Sequence, residues 1–110
     1  MSTYLFTFRA PADYAPSAGA FNAWAAWQHR LGARLKDRGN PAFAAATVGA
    51  SVADTTLGGY SLIRAGNLDA AAALARSCPL LLQGGAVEIC ELANHDDRFD
   101  NWLDTTGDLS

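Results

Sequence analysis

Glu88 is the side chain with the most chemical promise. It lies in the segment Ala86–Leu92, where strand alternation turns it away from Val87 and Ile89 and toward the side of Cys90. A carboxylate in a sheet covered on both faces needs a partner, because an unpaired buried charge is costly. Glu88 is expected either to make a structural hydrogen bond or to serve as a pocket carboxylate. Trp24 and Trp27 stand three residues apart in a helical pattern, which suits a core stripe and also an aromatic pocket wall. Tyr60, in the strand-like Leu57–Arg64, adds a phenol. Trp24, Trp27, Tyr60 and Glu88 thus form the candidate ligand pocket. Arg9 and Arg64, at strand ends, are the candidate anion clamp, since a guanidinium grips a carboxylate through two parallel bonds; surface ion pairs would use them equally well.

The remaining candidates have plainer readings. Histidine is a common general base, but His29 falls at about 140° from Trp24 around a helix and is read as an exposed surface residue. His95, Asp96 and Asp97 are consecutive and have no fourth ligand nearby, so they are read as a solvated tail and no metal site is expected. Asp54 suits a turn as well as it suits an acid or base. Gly58-Gly59 and Gly84-Gly85 lack the spacing of a nucleotide loop. With no nucleophile triad, metal cluster or phosphate loop, no cofactor is expected. Cys78 and Cys90 are read as two buried thiols in a reducing compartment, which implies the cytoplasm.

These groups need elements to hold them. The 110 residues suffice for one domain, half of them apolar and 17% charged. The net charge of −3 is uneven: residues 1–92 carry seven bases against six acids, and residues 93–110 carry Arg98 against five aspartates. The expected division is a folded domain over 1–92 and an acidic C-terminal extension over 93–110. The body has no basic stripe for nucleic acid, no apolar run is long enough to span a membrane, and the N-terminus lacks the basic region of a signal peptide.

Thr3–Arg9 reads as a strand, with Tyr4, Phe6 and Phe8 on one face and Leu5 and Thr7 on the other. Apolar residues on both faces suggest a sheet covered on both sides. Ser17 is a suitable N-cap for a helix to about Arg38, stopped at Gly39, with Phe21, Trp24, Trp27, Gln28, Leu31 and Leu35 along one stripe. Phe43–Val52 favours a strand with a bend at Gly49. Asn67 caps an alanine-rich helix that Pro79 ends, with Leu68, Ala71, Ala72, Ala75 and Cys78 on one side. The order βαββαβ follows, an α+β class of ferredoxin-like type. In the extension, Phe99, Trp102 and Leu103 have the spacing of a short amphipathic helix and are expected to dock on the body or on another chain.

The run Leu57-Gly58-Gly59-Tyr60, then Asn67-Leu68-Asp69, Cys78-Pro79 and Gly84-Gly85, resembles the second half of the YCII-related (DGPF-type) family of small bacterial proteins. The likeness is looser over the first strand and helix, where Trp27 and Gly39 match an aromatic-then-glycine spacing. The Asp-Gly-Pro-Phe segment is missing, Asp54-Thr55 replaces the usual Lys-Glu, and Trp27 stands where some members carry a helix histidine. The resemblance implies a ferredoxin-like fold that pairs into a dimeric α+β barrel, and an unassigned activity.

Two functions are compatible with these residues. One is a homodimeric interaction or ligand-binding module, able to form higher oligomers through its tail. The other is a small-molecule enzyme of lyase or isomerase type, using one acid/base group and an anion clamp on a small organic acid. Whether the chain is an enzyme is left open between them.

Overall fold

The computed structural model describes residues 1–43, 46–50 and 55–93. Asp54, His95, Asp96, Asp97, Phe99, Trp102 and Leu103 lie outside the described residues, as does the acidic extension from residue 94.

Strand β1 (Ser2–Pro11) is followed by helix α1 (Ala18–Leu31), a 3₁₀ turn (Gly32–Arg34), β2 (Leu35–Asp37), β3 (Thr55–Ala65), helix α2 (Leu68–Ala75), a second 3₁₀ turn (Pro79–Gln83) and β4 (Ala86–Glu91). The four strands form one antiparallel sheet in the order β2-β3-β1-β4. β1 pairs with β3 from Ser2↔Ala65 onward, with a register shift between Phe8 and Arg9.

Alternation along β1 builds the core. Tyr4, Phe6, Phe8 and Ala10 are buried beneath the helices, opposite Ile63 and beside Ile89 and Val87. Each helix has the cap its sequence offers. The Ser17 hydroxyl accepts from the Ala20 N–H at 3.1 Å, and the Asn67 side chain accepts from the Ala70 N–H at 2.8 Å. The small residues Ala71 and Ala75 let α2 lie close on the sheet. From the first helix, only Trp27 and Leu31 are fully buried.

Two expected boundaries are corrected. The first helix does not run to Arg38: Gly32 takes φ +57°, its N–H bonds the Gln28 carbonyl, and the chain leaves the helix. Leu35 still turns inward, but from a strand opposite Ile63. The second strand is therefore Leu35–Asp37, and the described residues of the expected strand Phe43–Val52 belong to no strand. Phe43 and Val48 are 94% and 99% exposed, and 46–50 has no strand pairing. The order βαββαβ survives because the true β2 also falls between α1 and β3.

The closed dimeric barrel is also corrected. β2 and β4 are opposite edges of the sheet and do not pair, so the sheet is open. Its helix-free face carries Thr3, Thr7, Arg9, Arg64, Glu88, Cys90 and Lys36 beside half-buried Leu5 and Leu62 and the partly exposed Leu57 and Tyr60. Such a face is suited to water, as antiparallel sheets often are on one side. The apolarity read into both faces of β1 reduces, on this side, to Leu5, and does not require a second sheet. Among the described residues no helix is long and apolar enough to cross a membrane.

Candidate functional site: an apolar cleft beside the first helix

The N-terminal half of α1 is poor in large side chains, Phe21 and Trp24 apart, and stands away from β3. The gap is a cleft of about 730 Å³, within the range of small-molecule sites. Phe8, Ala10 and the backbone of Gly58-Gly59 form its floor, and Ala20, Phe21, Trp24 and Gln28 its helical wall. The opposite wall is the segment Arg38–Phe43 with Tyr60.

An aromatic cluster anchors the helical wall. Trp24 meets Phe8 edge-on at 4.6 Å and Trp27 at 5.3 Å between ring centroids. Trp27 lies behind it, 1% exposed, and donates its indole N–H to the Ser77 hydroxyl at 3.0 Å and to the Leu74 carbonyl at 3.3 Å. Trp27 thus ties α1 to the end of α2, while Trp24 presents a face to the cleft.

The opposite wall is stitched to β3. Ser61 is buried and donates to the Arg38 carbonyl at 2.6 Å. The Tyr60 N–H bonds the Asn40 carbonyl at 3.3 Å, the Ala42 N–H bonds the Gly58 carbonyl at 3.1 Å, and Asn40 Nδ2 donates to the Tyr60 hydroxyl at 3.4 Å. Gly39 makes this approach possible. Its φ is +70°, and a Cβ there would lie 1.9 Å from the Tyr60 carbonyl oxygen. The Asp37 carboxylate accepts from the Gly39 N–H at 2.8 Å and fixes the turn into the wall.

Two aromatic side chains around this cleft stay open to solvent, Phe21 (64%) and Phe43 (94%), while Leu57 and Tyr60 border it along β3 with their side chains turned to the helix-free face, opposite Arg9 and Thr7. Polar groups are few: Tyr14, Gln28, Arg38, Asn40, Thr56, Tyr60 and Ser61. Among the described lining residues there is no carboxylate, imidazole or thiol, and Arg38 is the sole formal charge. A smaller hollow of about 250 Å³ adjoins at Gln28 and Arg38 and is bordered by Ala25, His29 and Leu35.

The four expected pocket residues are not brought together. Trp24 and Tyr60 line the cleft. Trp27 is core. Glu88 is on the other face of the sheet, 62% exposed at its side chain, 3.3 Å from Arg9 and accepting from the Thr7 hydroxyl at 3.3 Å. The anion clamp is likewise not assembled, since Arg9 is engaged by Glu88 and Arg64 is exposed on that same face. Glu88 therefore does not supply a carboxylate to the cleft.

The cysteines are also split. Burial pushes the Cys78 thiol up to about 11, so it is an inert core group. Cys90 is exposed, against the expectation of two buried thiols. His29 is exposed, and no group of three or more metal-ligating side chains occurs among the described residues.

Sequence reading missed Arg38, Phe43 and Leu57 as cleft residues. A usable signal was present in Gly58-Gly59, which marks a close backbone approach. It says that something crosses there without saying that Gly39–Ala42 does.

No family model, curated protein or solved structure matches the chain. The site's chemistry is accordingly that of its own side chains, and the YCII-related resemblance adds nothing to it.

Proposed function

We propose that the domain binds a flat, largely apolar small molecule in the cleft between α1 and β3. The observation that carries this is the convergence of exposed Phe21 and Phe43 on one cleft backed by Trp24 and Phe8. Isolated apolar residues on a surface need no explanation, but a cluster around a concavity with a few polar groups is what a ligand site requires. Rigid aromatic walls and a backbone floor suit a ring system, which can slide against Gly58-Gly59 and stack on Phe21 or Trp24. We also infer a cytoplasmic setting, supported by two free thiols, one of them exposed.

The test is a fluorescence titration with the neutral dye N-phenyl-1-naphthylamine. One site per chain is expected. Ala20→Phe, which projects a ring from the helical wall, and Phe21→Ala should each weaken binding at least about tenfold, with circular dichroism unchanged. Equal binding by both variants and the unaltered chain would refute the cleft as the site.

A further inference from the structure

Arg38 gives this cleft a chemical preference beyond apolarity. Among the described residues that line the cleft it is the one charged side chain, and it makes no ion pair with any described carboxylate. Its neighbour Asp37 is turned elsewhere, onto the Gly39 N–H. The backbone of Arg38 is held by the short bond from buried Ser61, so the guanidinium issues from a fixed point on the wall. Gln28 and Arg38 also border both the large cleft and the smaller hollow, which leaves room at their junction for a group that projects from a ring system in the cleft.

A guanidinium lining an apolar cleft discriminates by charge. Apolar walls and a bound ring system exclude water and strengthen its field. Its planar fork matches the two oxygens of a carboxylate or the oxygens of a sulfonate or phosphate, and the Gln28 amide can add a hydrogen bond. Resting on the cleft reading above, we infer that the ligand is an aromatic or polycyclic anion, its rings against Trp24 and Phe21 and its anionic group at Arg38.

Two probes with the same ring system separate this inference from the reading beneath it. N-phenyl-1-naphthylamine is neutral, and 8-anilinonaphthalene-1-sulfonate is the same skeleton with a sulfonate. The unaltered chain should bind the sulfonate about tenfold more tightly than the neutral dye, the size of one charge-assisted contact. Arg38→Gln should bring the ratio of the two affinities to about one, and Arg38→Lys should retain part of the sulfonate preference. Raising salt should weaken the sulfonate alone. Equal affinity for both dyes, or a sulfonate preference that survives Arg38→Gln, overturns the anion inference and leaves the apolar cleft standing. Binding of neither dye overturns both.

Discussion

The Trp27 indole donates to the Ser77 hydroxyl at 3.0 Å, across fifty residues of sequence. That bond and its companion to the Leu74 carbonyl hold the C-terminal half of α1 against α2. Among the described residues the N-terminal half has no comparable hydrogen-bonded tie, and the cleft opens there. Ser77→Ala keeps the bond to Leu74 and should cost about 0.5–1.5 kcal/mol, whereas Trp27→Ala empties the core and should cost about 3–5 kcal/mol in urea unfolding. Equal effects would mean that Trp27 is not the packed anchor described.

Gly39 should be the least replaceable residue of the cleft wall. Gly39→Ala forces a Cβ into the Tyr60 carbonyl and disfavours φ +70°. A loss of at least about 2 kcal/mol is expected, or a detached wall with intact sheet and lost dye binding. A variant with unchanged stability and unchanged binding would show that the segment 38–42 does not lie on β3.

Glu88→Ala should be mild. Its pair with Arg9 is mostly solvated, and such pairs contribute about 0–1 kcal/mol. A larger loss in thermal or urea unfolding would place Glu88 in a covered face after all.

Stability should fall in alkali. Cys78 has its folded-state pKa raised by burial from 9.0 to about 11, and Tyr4 is raised by burial and by the Glu91 carboxylate that its hydroxyl bonds at 3.2 Å. A raised acid binds its proton more tightly when folded. Its contribution is complete below pH 9 and is lost as pH rises through about 11. For Cys78 this is on the order of 2 kcal/mol. Cys78→Ala should flatten, without abolishing, the decline of unfolding free energy over that window; parallel curves would contradict the buried thiol.

Much of the framework could be read from residues. The faces of β1, the caps Ser17 and Asn67, and the outward His29 follow from periodicity and local hydrogen bonding, which the structure preserves. The second strand did not, because Leu35 continues the helical stripe of Trp24 and Leu31 and only Gly32 marks the break. The ligand pocket was half legible. Trp24 lines the cleft and Tyr60 borders it from β3, whereas Trp27 is covered by the end of α2 and Glu88 lies with the Tyr60 side chain on the other face of the sheet; which face the helices cover is decided by elements distant in sequence. Arg38 was hidden because its role depends on the crossing of 38–42 over Gly58-Gly59, a contact that no local pattern encodes.

The central claim is that ligand binds between α1 and β3, and amide and indole chemical-shift mapping with N-phenyl-1-naphthylamine tests it most directly. Saturating dye should shift the Trp24 indole and the amides of Gly39, Gly58, Gly59 and Tyr60, and leave Leu5, Leu62 and Cys90 on the helix-free face unmoved. Shifts confined to that face, or spread evenly over both, would contradict it.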